Sequence, residues 1–307
     1  MPRISDASGR PAGIIFDVQR FSLHDGPGIR TTVFFKGCPM RCDWCSNPES
    51  QRPEPEFMFS PERCIGCVSC VGACPIGTPY STEGFRPEKC VSCLSCTDIC
   101  PTEALVRKGT PRTADDLLRE VLRDRLVFEN SGGGVTVSGG EPLMQPDFLE
   151  DFLKRLKENG IHTAMESTFY APWETAERVL PFLDHIFCDI KHTDPEIHRL
   201  RTGVSCKPVL ENAKRLARTG RSVTFRIPVI PGFNTGEEAA EGFSRFFRET
   251  GNVPVELLPY HIYGERKYHL LRREYPGENI PAEGARELAE GLAEMLRAGG
   301  HTVSVSD

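Results

Sequence analysis

A chain of 307 residues can bury a full core, either as one large α/β domain or as one domain carrying an insert. Hydrophobic residues at 39% and charged residues at 26% match an ordinary soluble protein. No apolar run reaches bilayer length, and MPRISDASGRPAG has no secretory pattern, so no membrane role and a cytoplasmic location are expected. The net charge of −6 speaks against nucleic acid as a partner, which would call for clustered basic residues.

From Gly13 to Lys36, GIIFDV and TTVFFK flank the polar turn HDGPG and predict two strands joined by a tight loop. From Gln51 to about Lys108 periodicity gives way to prolines and cysteines, which predicts a compact insert whose core is metal rather than side chains. Beyond it, TADDLLREVLRDRLVFEN reads as a helix with Thr113 at its cap, and GVTVSGG as a strand entering a glycine loop. PDFLEDFLKRLKENG reads as a helix ending at a glycine. IHTAMES, HIFCDIK, SVTFRIPVI, PVELLPY and HTVSVSD read as strands. They alternate with helices over APWETAERVLPFL, KPVLENAKRLARTG, EEAAEGFSRFFRETG and PAEGARELAEGLAEMLRAGG. This alternation predicts a parallel sheet, open or rolled into a full or partial barrel. In such sheets chemistry collects at strand ends, here SGGE, MES, DIK and PYH.

Cysteine is the outlier: of thirteen, eleven fall between Cys38 and Cys100. In a reducing cytosol that density points to metal rather than disulfides. Cys38, Cys42 and Cys45 form C-x3-C-x2-C directly after TTVFFK. Three thiolates can hold a four-iron cubane while leaving one iron open to a substrate or cofactor. A zinc loop is the alternative, but it would want a fourth ligand nearby, and the next cysteine is Cys64.

C-x3-C-x2-C is the signature of the radical S-adenosylmethionine (SAM) superfamily. The longer string HDGPGIRTTVFFKGCPMRCDWCSNPES resembles the activating enzymes of glycyl-radical enzymes, and the likeness continues through SGGEPLMQ, DIKHTDPEIHRLRTG, IPVIPGFN and LLPYH. The resemblance implies a partial (β/α)6 barrel over residues 1–50 and 109–307, interrupted by an insert over 51–108. It implies reductive cleavage of SAM to methionine and a 5′-deoxyadenosyl radical, which takes a Cα hydrogen from a glycine of a partner enzyme. Cluster and SAM carry that chemistry, so no acid or base residue is expected. SAM contacts are implied for Trp44, for Gly139, Gly140 and Glu141, for Asp189, Ile190 and Lys191, and for His261. Without the resemblance the glycines could be a strand–helix turn, Asp189 and Lys191 a surface ion pair, and His261 a polar group at a strand end. Pyruvate formate-lyase activators carry Asp-Thr-Asn-Gly where this chain has Glu166, Ser167, Thr168 and Phe169, so a monovalent cation beside SAM would rest on Glu166 and Asp189.

Cys64, Cys67, Cys70 and Cys74 form C-x2-C-x2-C-x3-C before Pro75, and Cys90, Cys93, Cys96 and Cys100 repeat it before Pro101. This is the run of two-cluster bacterial ferredoxins, in which the fourth cysteine serves the other cluster. One [4Fe–4S] cluster is therefore expected on Cys64, Cys67, Cys70 and Cys100, and a third on Cys90, Cys93, Cys96 and Cys74. The expected role is to carry electrons from a flavodoxin or ferredoxin to the first cluster, or to help dock the electron donor or the partner enzyme. Resemblance places such inserts in activators of C–S, C–N or C–O lyases, such as isethionate sulfite-lyase, choline trimethylamine-lyase or a diol dehydratase. Cys188 and Cys206 have no partners at metal spacing. Two rival readings are a radical SAM enzyme acting on a small molecule and a ferredoxin-like electron carrier.

Overall fold

The computed structural model describes residues 4–5, 9, 11–76 and 90–306; the part of the expected insert at 77–89 lies outside them. One sheet of ten strands organises the chain. Its parallel portion runs in the order β3 (Arg30–Phe35), β7 (Gly134–Gly139), β8 (His162–Ser167), β9 (His185–Asp189), β10 (Val223–Val229), β11 (Val255–Pro259) and β12 (Val303–Val305). At the β3 end, β2 (Pro11–Ser22) pairs antiparallel and carries β1 (Ile4–Ser5) and β6 (Thr110–Thr113). β7 is buried along almost its whole length, as a parallel strand covered on both faces must be.

The covering helices are α3 (Ala114–Val121), α4 (Arg125–Ser131), α5 (Pro146–Glu158), α6 (Trp173–Val179), α7 (Pro195–Thr202), α8 (Lys207–Ala217), α9 (Glu237–Thr250), α10 (Glu265–Leu270) and α11 (Ala285–Ala298). Their buried residues repeat at helical spacing: Phe148, Leu149, Phe152, Leu153 and Leu156 line one face of α5. Thr113 caps α3 through a reciprocal box with Asp116. The single helix expected over TADDLLREVLRDRLVFEN is interrupted by a 3₁₀ turn at Leu122–Asp124. Asp124 is drawn inward, where its carboxylate accepts from Arg20 and from the Thr31 hydroxyl at 2.8 Å. Periodicity alone does not show that tertiary demand.

The cysteine-rich stretch departs from the expectation of a core made by metal alone. β4 (Glu56–Phe59) and β5 (Leu105–Lys108) form an antiparallel pair, and Phe59, Cys96, Ala104 and Leu105 make a small apolar cluster. Two short helices, α1 (Ser69–Ala73) and α2 (Ser95–Asp98), follow the middle cysteines. The tandem repeat is visible in the backbone. Gly66 and Val68 flank Cys67 with φ of 69° and 52°, and Ser92 and Leu94 flank Cys93 with 53° and 64°. Three of these four are not glycine, so the left-handed turns are imposed by the motif. No helix among the described residues is long and apolar enough to cross a membrane.

Candidate active site at the strand ends

The C-terminal ends of the parallel strands converge on a cavity of about 250 Å³. Its wall includes Cys38, Cys42, Trp44, Cys45, Gly139, Gly140, Glu166, Asp189, Lys191 and His261, which lie far apart in sequence. Two residues expected beside them are elsewhere. Ile190 is fully buried in the apolar core, and the Glu141 carboxylate is turned away from the cavity. Residues that sequence reasoning did not single out also form the wall, among them Ser50, Ser138, Thr168, Ile230 and Tyr260. Ser138 and Tyr260 belong to the strand-end strings already noted, and Ile230 is the last residue of the strand string SVTFRIPVI, so position at a strand end was the available signal.

Cys38, Cys42 and Cys45 are free thiols on one loop leaving β3. Burial pushes the Cys42 thiol up to about 12, with the nearby Lys191 ammonium pulling the other way. The Trp44 ring packs 4.7 Å from that of Phe233 and fixes the loop between the last two thiols. The loop is also tied to the end of α7: Arg41 and Asp43 donate their amides to the Thr202 and Arg201 carbonyls, which the ending helix leaves without partners. Three soft donors facing one cavity suit an iron–sulfur cluster. Among the described residues no three His, Cys, Asp or Glu side chains converge on a single ion. A cubane makes no such demand, because each thiolate takes a different iron.

The glycine loop is required sterically. A Cβ on Gly140 would stand 2.2 Å from the Gly37 carbonyl oxygen, and Gly139 adopts φ 115° against Phe35. Glu141 then braces the loop. It accepts from the Ser167 and Thr168 hydroxyls, each at 2.6 Å, and from the Thr168 amide at 3.0 Å. Burial raises its pKa, and these four-square hydrogen bonds oppose the rise. Where pyruvate formate-lyase activators have glycine, Phe169 holds φ 55°, and Asn212 secures its carbonyl at 2.8 Å.

Charge in the wall is paired. Lys191 donates to Asp189 at 3.0 Å; burial alone would lower its pKa, but the Asp189 carboxylate holds it raised. Burial lifts Glu166 to about 7 against the pull of Arg226. Arg226, from β10, bridges Glu166 and Glu256 and lies 3.5 Å from the Phe187 ring centroid. Ser138 also donates to Glu166 at 2.6 Å. The carboxylates expected to hold a monovalent cation are therefore each engaged by a fixed cationic side chain.

Outside this cavity, Cys64, Cys67, Cys70 and Cys100 border a second small cavity of about 40 Å³ with Phe59 and Leu105. Cys96 is buried, its thiol pushed up to about 11 by burial and by Cys90, Cys70 and Cys93. Cys188 sits in the apolar core around the sheet, and Cys206 donates to the Thr193 carbonyl.

Residues 87–241 match the model of the radical SAM superfamily. The isethionate sulfite-lyase activating enzyme of Nitratidesulfovibrio vulgaris is 42% identical over 302 residues, 94% of this chain and 98% of that one. The benzylsuccinate synthase activating enzyme of Thauera aromatica is 42% identical over 295 residues, covering 91% and 89%. A solved radical SAM methyltransferase from Sphaerobacter thermophilus covers all of this chain and 76% of its own, with a TM-score of 0.54 at 15% identity, a likeness of fold. The chain belongs to the radical SAM superfamily and, within it, to the activating-enzyme family of these relatives.

Proposed function

We propose that this chain installs a radical on a glycine of a partner glycyl-radical enzyme. The carrying observation is the cavity that gathers the three free thiols, the Gly139–Gly140 loop, the Asp189–Lys191 pair and His261. A [4Fe–4S] cluster on Cys38, Cys42 and Cys45 would supply, at its open iron, an electron that cleaves SAM to methionine and the 5′-deoxyadenosyl radical, the species that removes the glycine hydrogen. The residues prepare that event. Backbone at Gly139 and Gly140 gives the SAM amino group close approach, and Lys191 offers a cation to its carboxylate. Trp44 and His261, the latter stacked on Tyr263 at 4.3 Å, offer ring faces to the adenine. Glu141 serves by bracing the glycine loop.

We read the curved parallel sheet as a partial (β/α)6 barrel over 1–50 and 109–307, with 51–108 as a ferredoxin-like insert holding two further clusters. The four thiols bordering the second cavity support assigning Cys64, Cys67, Cys70 and Cys100 to one cluster, leaving Cys74, Cys90, Cys93 and Cys96 for the third. With no open iron, that pair suits electron delivery from a cytoplasmic flavodoxin or ferredoxin. The engaged state of Glu166 and Asp189 favours operation without a monovalent cation. Partners of the relatives named above include isethionate sulfite-lyase and benzylsuccinate synthase, and partner class rather than one partner is what this chain shares with them.

The test combines reduced protein, SAM and a candidate partner without oxygen and records an electron paramagnetic resonance spectrum. The expected result is a doublet that collapses when the partner carries α-deuterated glycine. SAM cleavage that consumes a small molecule and leaves no radical on any partner would reject the reading.

A further inference from the structure

The insert and the catalytic loop are joined by more than the chain between them. Glu56, the first residue of β4, places its carboxylate between two cations from different parts of the molecule. Lys36 donates to it at 2.9 Å, and Arg273 donates to its other oxygen. Lys36 is fully buried at the end of β3, two residues before Cys38, and also donates to the carbonyls of Glu49 at 2.6 Å and Arg52 at 3.0 Å. Its stem fills the space where a Cβ on Gly109 would stand, 2.5 Å from its Cδ. Both the entry and the exit of the insert are thus gathered around one ammonium group beside the catalytic loop.

A single segment after β11 closes this arrangement from the other side. Lys267 donates to the Asn47 side chain at 2.7 Å and pairs with Glu49 at 3.0 Å, while Tyr268 accepts from Gln51 at 3.2 Å. Arg266 donates to Glu62 at 2.7 Å, reaching the insert itself. Arg272 takes the left-handed conformation, φ 57°, at the end of α10. Its guanidinium lies 4.9 Å from the Phe59 ring centroid, while Arg273 turns to Glu56 and to the Pro48 carbonyl at 3.0 Å. Five side chains of this segment therefore reach out on two sides, to residues 47–51 behind the loop carrying Cys38, Cys42 and Cys45 and to residues 56–62 at the entry of the insert.

We propose that the Lys36–Glu56–Arg273 triad, with the α10 segment, is a coupling that fixes the insert against the catalytic loop, so that electrons reach the latter from the former at one set separation. These are positioning residues, since none lines the catalytic cavity. Electron transfer falls steeply with distance, and a hinge that let the insert swing would make delivery intermittent. A carboxylate held by two cations in a dry site resists such swinging, because loss of one partner leaves the others buried and unpaired. The electron-delivery half of the proposal rests on the function proposed above.

The test uses Glu56→Gln, with Arg273→Lys as the milder variant, which keeps the charge but loses the fork that spans Glu56 and Pro48. In iron-free protein, hydrogen exchange at residues 56–59 and 105–108 should quicken about tenfold in Glu56→Gln, with β7 unchanged. In reconstituted protein, SAM cleavage driven by reduced flavodoxin should fall several-fold relative to cleavage driven by dithionite. The dipolar broadening between reduced clusters should spread, and Arg273→Lys should fall between parent and Glu56→Gln on each measure. Unchanged exchange in both variants would remove the coupling. Faster exchange with an unchanged ratio of the two cleavage rates would refute its role in delivery. An iron content of about four per parent chain would remove the insert clusters of the proposed function and leave the exchange result to stand alone.

Discussion

Between β3 and β12 the chain buries rings against one another. Phe225 lies 5.8 Å from Phe247 and 6.0 Å from Phe246, and Phe243 is 6.0 Å from Phe247. Among the described residues, the stretch from Glu56 to Lys108 has instead a cluster of four, Phe59, Cys96, Ala104 and Leu105, and it leaves Ile65, Val68 and Val91 largely exposed. One region can fold on apolar burial, whereas the described part of the other buries little, and under the proposed function metal completes it. The difference shows why the two need a physical tie, and why that tie is made of charge rather than of a shared core.

The sharpest way to break the comparison is to withhold iron. In iron-free protein, amides of residues 64–76 and 90–100 should exchange almost without protection while β7, β8 and β10 remain slow. Equal protection in both regions would mean that the cysteine-rich stretch is held by side chains after all. A core truncation should come next in size. Phe225→Ala should cost about 3–5 kcal/mol in the urea unfolding of the large sheet and its helices, because Phe225 is fully buried between rings of α9. Phe59→Ala should leave that transition in place, and a matching shift would argue for one cooperative unit.

The smallest expected effect is a pH dependence confined to the large sheet and its helices. His198 is buried and donates toward the Val204 carbonyl; burial holds its pKa down to about 4, so the folded state prefers the neutral ring. His185, lowered to about 4 by burial and by Arg226, acts in the same sense. Their contribution is complete above the unfolded value of about 6.5 and is lost as the pH falls toward 4. Urea midpoints measured across that window should drop. His198→Gln should flatten the drop by about 2 kcal/mol; an unchanged slope would show that His198 is charged when folded.

Much of the parallel sheet and its helices was legible because they repeat at periods of two and 3.6, and because Thr113 and the glycines mark boundaries by steric or hydrogen-bonding need. Spacing also singled out Cys38, Cys42 and Cys45, which the structure gathers on one cavity wall. What escaped was set by tertiary partners. The break before α4 depends on Arg20 and Thr31 reaching Asp124, and α10 is only six residues long with its polar side chains spent on distant segments. Arg226 lies inside the strand string SVTFRIPVI, where a lone arginine carries no sign that a carboxylate from the adjacent β11 and another from β8, two strands away, will flank it. Glu141 was noticed for its motif, yet its carboxylate faces Ser167 and Thr168, an orientation that only the packed loop decides.

Trp44 carries one further consequence. The chain has two tryptophans, and the other, Trp173, lies on α6 beneath Arg215. Replacing Trp173 with phenylalanine would leave a single indole, wedged between Cys42 and Cys45 and packed on Phe233. Its emission would then act as an optical gauge of the loop: bright and structured when the thiols are bare, and dimmed by energy transfer when a coloured inorganic centre is assembled beside it. The molecule thus contains its own fluorescent reporter of cofactor loading, readable in a sealed cuvette without a label.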